Sequence, residues 1–227
     1  MTIESLPIAG LYWRRDARAI HLWSDEPLAV VSSAVVGAEL EQTRHIVNMH
    51  VARGYDCKDP AADLHALARA LNIENTFSIA EPFVGMMTGV PMERVQVVVE
   101  RNADATVAAI VTVGVSHPVA AGITEAHRAP AGTINIILLA DAGLSRAARV
   151  NAIITATEAK TLALLEADLR APHGERASGT GTDAMVVAST ERGASFEYAG
   201  PISPLGALMA RAMRRAVQQG LAARWAR

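Results

Sequence analysis

Residues 95–115 read VQVVVERNADATVAAIVTVGV. Val95–Arg101 and Thr106–Val115 are rich in β-branched residues, and Asn102-Ala103-Asp104-Ala105 between them carries turn-forming Asn and Asp. The pattern predicts an antiparallel hairpin whose turn type stays open. A hairpin in mid-chain excludes strict β-α-β alternation there, because parallel neighbours need a long crossover.

Strand-like runs continue on the N-terminal side. Ile8–Ile20 reads as an edge hairpin or irregular lead-in that turns at Arg14-Arg15-Asp16, and Leu28–Ala34 as a short buried strand behind Pro27. His45–Val51 alternates, with Val47, Met49 and Val51 on one face and Asn48 and His50 on the other. His45 falls with the apolar set, where a lone histidine is more often a satisfied core residue than a ligand. Asn48 with His50 is the better pair. Asp59 is placed to cap a helix over Ala61–Leu71 that starts at Pro60 and closes at Asn72, which outweighs a catalytic role for Asp59. Phe77–Ala80 and Phe83–Thr88 read as short strands or turns.

Toward the C-terminus, Gly122–Pro130 is a loop holding His127 and Arg128, and Ile136–Ala140 is an inner strand with Asn135 at its start. Ser145 can cap a long helix that runs to about Leu169. Met185-Val186-Val187 and Ser195–Ala199 are further strands. Ser203 caps a last helix, begun by Pro204, that turns Leu205, Leu208, Met209, Ala212 and Val217 inward. Arg211, Arg214 and Arg215 cluster on that helix and read first as solvated surface. The expected fold is α+β: a single domain over residues 1–227, with a mixed, partly antiparallel sheet layered against long helices.

Composition narrows the function. A net charge of −2 argues against capture of nucleic acid or of an anionic membrane. The one cysteine, Cys57, excludes an internal disulfide and fits a reducing cytoplasm, and no signal-peptide pattern suggests export. No GxxxxGK[ST], HExxH, CxxC or GxSxG occurs. His45 and His50 would face opposite sides of a strand, which is poor geometry for a metal, so no metal ligands are assigned.

Two stretches break local rules. Along Asn151–Ala167, Asn151, Thr155 and Glu158 project onto the stripe that carries Ile154, Leu162 and Leu165. A carboxylate in line with leucines either ends a core face or lines a cavity, where desolvation favours accepting a proton. The second stretch, Gly179-Thr180-Gly181-Thr182-Asp183-Ala184, formally matches a dinucleotide fingerprint, but a strand follows it where a helix should. A nucleotide-binding reading is therefore weak. Glycines between hydroxyls still let a backbone approach a ligand closely; an ordinary tight turn is the competing reading. Together Asn48, His50, Glu158, Asp183 and nearby hydroxyls suit hydrolysis by an activated water, without naming a substrate.

VSSAVVGAELEQTRHIVNMHV, VGMMTGV, the GTINIILL–LS–ITATEAKTLALLE succession and ASGTGTDAMVVAS resemble, in order from about Val31 to Ser189, the adenosylcobinamide amidohydrolase family of corrinoid salvage. Val36–Glu39 is less glycine-rich than the family pattern, and Ser178 stands where threonine is expected. The resemblance implies hydrolysis of the aminopropanol amide of adenosylcobinamide to adenosylcobyric acid in cobalamin (vitamin B12) salvage. It implies a small corrinoid substrate, no separate cofactor, no nucleic acid or membrane partner, and is compatible with a homo-oligomer. A divalent-metal requirement stays open. The rival reading is a corrinoid carrier or sensor without catalysis. Carried onto this sequence, the blocks His45–Val51, Thr155–Thr161 and Gly179–Ala184 are site-forming. The resemblance assigns no catalytic role; on the residues themselves Glu158 is the preferred base, His50 the competing one and Asp183 an orienting group. Asn48, Asn135, Asn151, Thr155, Lys160, Thr180, Gly181 and Thr182 are the expected substrate contacts.

Overall fold

Side-chain alternation along the strands sets the layers of this molecule. The structure, a computed structural model, describes residues 3–52, 54–73, 81–126 and 133–225. The strands are β1 (Ile3–Ser5), β2 (Leu11–Arg15), β3 (Ala19–Ser32), β4 (Gln42–His50), β5 (Phe83–Thr88), β6 (Gln96–Arg101), β7 (Thr106–Val113), β8 (Pro118–Val119), β9 (Ile134–Asp141), β10 (Gly143–Leu144), β11 (Gly179–Thr180), β12 (Ala184–Ser189) and β13 (Ser195–Phe196). The helices are α1 (Pro60–Ala70), α2 (Arg146–Glu166) and α3 (Pro204–Trp225). The main sheet runs β1-β2-β3-β12-β9-β7-β6, with β4 paired to β3 and to β5. β12 with β9 and β4 with β5 are parallel; the other pairs of this sheet are antiparallel.

The expected hairpin is β6–β7, with Arg101 opposite Thr106. Asn102 Oδ1 accepts from the backbone N–H groups of Asp104 and Ala105, both at 2.9 Å, so the asparagine itself shapes the turn.

β3 differs from the sequence reading. The expected lead-in and the expected strand at Leu28 are parts of one long strand, bent where its pairing with β4 slips: Trp23 faces His45, but Leu28 faces Thr43. Pro27 lies in this irregular stretch, where it has no ladder hydrogen bond to lose. Before the bend β3 pairs with β2 and β4; after it, with β12 and, for two residues, still with β4. The sheet therefore curls, and its β4–β5 half lies across its β12-β9-β7-β6 half.

Three apolar clusters follow from that curl. Between the half-sheets lie Leu22, Ile46, Val84 and Met86 from one side and Ile110, Ile137, Leu139 and Val186 from the other. Residues one step along, such as Val111, Ile136, Leu138 and Val187, face α2 and α3. On the opposite outer face, Val47 and Phe83 pack under Leu64 and Leu67 of α1. The order is helix, half-sheet, half-sheet, helices.

The helix caps match the sequence. Asp59 Oδ1 accepts from Ala62 N at 3.0 Å, Ser145 Oγ from Ala148 N at 3.1 Å and Ser203 Oγ from Gly206 N at 3.0 Å. α2 stops at Glu166, short of Leu169. Asp168 turns left-handed (φ 48°), and the N–H of Leu169 closes on the Leu164 carbonyl at 3.1 Å. Arg214 pairs with Glu166 at 2.7 Å, and Arg215 and Arg211 pair with Glu100, so the basic cluster spends its charge on neighbouring elements. Phe77–Ala80, His127 and Arg128 lie outside the described residues. Among those described, no helix is long and apolar enough to cross a membrane.

Candidate functional site

β4, β5 and β7 end, and β9 and β12 begin, along one edge of the curled sheet. At that edge the inner apolar layer gives way to polar side chains of the same alternation: Asn48, Thr88, Thr112 and Asn135, each no more than 2% exposed. Asn135 Nδ2 donates to Asn48 Oδ1 at 2.8 Å and to the Met87 carbonyl at 2.7 Å. Asn48 Nδ2 donates to Thr112 Oγ1 at 3.2 Å, and Thr112 to Thr88 at 3.4 Å. The Thr133 hydroxyl lies 3.1 Å from Asn135 Oδ1 and 2.6 Å from the Thr182 carbonyl, one hydrogen between two acceptors. Buried polar groups are tolerable when each finds a partner, and this set does so internally.

A second group lies on the other face of β9 and β12, toward α2. Asp183 Oδ2 is 2.5 Å from Lys160 Nζ and accepts from Thr180 N at 3.2 Å. Its Oδ1 accepts from Ile134 N at 3.0 Å and from the Thr180 hydroxyl. Lys160 is only 7% exposed, so its charge is met by this one carboxylate. Gly179 makes the approach possible: a Cβ there would lie 2.6 Å from Asp183 Oδ2 and 2.9 Å from Lys160 Nζ. The loop is tied down on both sides. β11 pairs with β8, Thr161 Oγ1 donates to the Ser178 carbonyl at 3.0 Å, and Ala121 N donates to Ser178 Oγ at 2.9 Å. Gly181 and Thr182 remain exposed at its tip.

The structure thus splits the residues expected from sequence into two groups bridged by Thr133. Asn48 and Asn135 belong to the sealed inner group; Lys160, Thr180, Gly181, Thr182 and Asp183 form the outer one. His50 shares the inner face with Asn48 but is only half-buried, with Nδ1 at 3.2 Å from the Val90 carbonyl. A carbonyl only accepts, so Nδ1 carries the hydrogen and a neutral His50 keeps a lone pair on Nε2.

Glu158 requires a correction. Its part of the stripe faces outward: Ile154 is 51% and Leu162 49% exposed, and Glu158 itself is exposed, while Thr155 at the stripe's edge is buried. α2 buries Ala148, Ala152, Ala156, Ala159 and Ala163, small residues that let the helix sit close to the sheet. Periodicity finds the stripe but not its direction, and the desolvation argument for Glu158 as base falls. Thr155 faces inward, donating to the Ala199 carbonyl at 2.8 Å, which braces the chain before α3. Asn151 is half-buried. Neither joins the two polar groups through a described hydrogen bond.

Sequence alone does not single out Thr88 and Thr112, or Thr133 beyond its place in GTIN. The signal was faint: a threonine closing an apolar strand, in step with Asn48 or Asn135. His45 is not lone. Its Nδ1 is 3.1 Å from Nε2 of buried His21, and its Nε2 is 3.4 Å from Glu81. Burial, aided by His45 and Arg14, pushes His21 down to about 3. Burial also lowers His45, with Glu81 opposing. Among the described residues no three or more histidine, cysteine and carboxylate side chains cluster as metal ligands would.

Known proteins give this arrangement a setting. A protein of Methanosarcina mazei named adenosylcobinamide amidohydrolase is 34% identical over 189 residues, covering 79% of this chain and 84% of its own. One of the same name from Halobacterium salinarum is 34% identical over 146 residues, 61% of this chain and 58% of its own. The crystal structure of the PH0078 protein from Pyrococcus horikoshii aligns with a TM-score of 0.50 at 13% identity, over 91% of this chain and 78% of that one, which is a likeness of fold alone. The family model described as adenosylcobinamide amidohydrolase matches residues 9–227, taking in both polar groups and all the layers between them, and the chain belongs to that family.

Proposed function

We propose that this protein hydrolyses the amide bond joining the aminopropanol arm to adenosylcobinamide, releasing 1-amino-2-propanol and adenosylcobyric acid for cobalamin salvage. The observation that carries the reading is the family match over residues 9–227. The polar edge supports it. An amide-rimmed substrate calls for hydrogen-bonding partners more than for net charge. The reacting centre is assigned to Lys160, Asp183 and Thr180: there an ammonium, a carboxylate and a hydroxyl meet beside the exposed tip Gly181-Thr182. The inner amide group is buried and engaged with itself, so its role is to hold that edge in shape. His50, with Nε2 available on the inner face, replaces Glu158 as the base that a direct attack by water would use.

The test is incubation of the purified protein with adenosylcobinamide, with mass detection of both products. Release of both in equal amounts is expected. Binding of adenosylcobinamide without either product would overturn the enzymatic reading in favour of a corrinoid carrier.

A further inference from the structure

The outer corner holds more than a water-activating carboxylate needs. Asp183 already accepts from Ile134 N, Thr180 N, the Thr180 hydroxyl and Lys160. A water would have to displace one of these to reach it. The group already in position to give Asp183 a proton is the Thr180 hydroxyl, on Oδ1, while Lys160 Nζ sits 2.5 Å from Oδ2. A hydroxyl bound to a carboxylate that is flanked by an ammonium has the parts of an activated nucleophile. The rigidity around it fits this use. Thr180 is paired to Pro118 in β11–β8, and Gly179 before it leaves no room for a Cβ. The hydroxyl is thus held by elements on both sides, next to the exposed Gly181.

We propose that Thr180 is the nucleophile of the amide hydrolysis and carries the corrinoid acyl group as a transient ester; this rests on the amidohydrolase reading above. Thr180 Oγ1 forms a bond to the amide carbonyl carbon while its proton passes to Asp183 Oδ1. Protonation neutralises Asp183 and frees the charge of Lys160 to face the oxyanion that develops on the carbonyl. Collapse breaks the C–N bond, and the proton on Asp183 goes to the departing nitrogen, which leaves as 1-amino-2-propanol. Water then attacks the ester, gives a proton to Asp183, and the restored Thr180 Oγ1 takes that proton back as the acid departs. The sum is amide plus water to acid plus amine, with no other reactant.

A covalent intermediate has a signature that direct attack by water lacks. With hydroxylamine added, the ester partitions between acid and hydroxamate in a ratio that does not depend on which amine has already left. The ratio is expected to be identical for adenosylcobinamide and for its analogue with ethanolamine in place of aminopropanol. Thr180→Val, which keeps the shape and the backbone N–H, should lower kcat at least ~10³-fold with little change in KM, and Thr180→Ser should stay active. A ratio that changes with the amine, or a well-folded Thr180→Val that turns over within tenfold of the parent, overturns the assignment. If the parent itself releases no amine, the amidohydrolase reading fails first, so the two failures are told apart by the wild-type control.

Discussion

Asn135 donates an amide hydrogen to Asn48 at 2.8 Å across 87 residues of sequence, and its other hydrogen to the Met87 carbonyl at 2.7 Å. This one side chain ties β9 in one half of the curled sheet to β4 and β5 in the other. It also satisfies the free edge of β5, where Val36 pairs with Gly85 two residues before Met87.

Asn135→Ala should therefore destabilise the fold. It leaves the Asn48 and Met87 oxygens buried without that donor, at about 1–3 kcal/mol for each unmet group. Urea denaturation gives the number. A loss below about 0.5 kcal/mol would mean that water or a shifted side chain takes over the link, and that the half-sheets are held by their apolar layer alone.

Gly179 is the glycine at which the loop has no tolerance. The methyl of Gly179→Ala would meet Asp183 Oδ2 at 2.6 Å and Lys160 Nζ at 2.9 Å, and neither can yield without opening the ion pair. The expected outcome is a drop in turnover of at least ~10²-fold, because misplacing reacting groups by about 1 Å costs that much. Gly181→Ala, at the exposed tip, should be milder in turnover and show its effect in substrate affinity. Equal kcat for Gly179→Ala and the parent would remove the corner from the chemistry.

Glu158→Gln should keep near-normal turnover, since its carboxylate stands on the exposed face of α2 beside Ile154 and Leu162. His50→Asn is the contrasting substitution. With Asp183 carrying the proton, this variant should turn over within tenfold of the parent; a loss of ~10²–10⁴-fold with adenosylcobinamide still bound would mark His50 Nε2 as the base of a direct attack by water. The measurement is kcat and KM for both variants. A collapse of kcat in Glu158→Gln, with His50→Asn unaffected, would return the base to α2.

How much of this was legible in the sequence depends on which physical signal was local. Asp59, Ser145 and Ser203 were readable as caps because a cap is fixed within a few residues. The β6–β7 hairpin was readable for the same reason. Asn48 was readable as alternating against Val47 and Met49, and Asn135 as the start of an inner strand, but neither as buried nor as partners, since the curl that joins them arises at the bend of β3. The separation of Asp183 from Asn135 onto opposite faces was likewise hidden: each strand's alternation is plain, while the identity of each face depends on what packs there. Glu158 failed on that same point. Its stripe is real, and alanines, weak as hydrophobic signals, form the true core face of α2. His21 carried no local mark at all, and it pairs with His45 only through the β3–β4 register.

His21 supplies the last prediction, on stability against pH. It is buried beside His45, Arg14 and Trp23, and Glu81 lies beyond His45. Burial is the first cause that takes His21 down to about 3, with His45 and Arg14 adding to it. An unfolded histidine titrates near ~6.5. Between those values the unfolded chain binds a proton that the folded chain refuses, so stability falls as pH drops through that window and is fully present above it. The slope approaches ~1.4 kcal/mol per pH unit for one such group, or roughly 2 kcal/mol between pH 7.5 and 5. His45, also lowered by burial, acts in the same direction. His21→Gln removes the titration of His21 while keeping a polar side chain. Comparison of urea midpoints at pH 7.5 and 5.0 should show a smaller acid loss in the variant than in the parent. Equal losses in the two proteins would show that protons enter elsewhere and that His21 is charged in the fold at no cost.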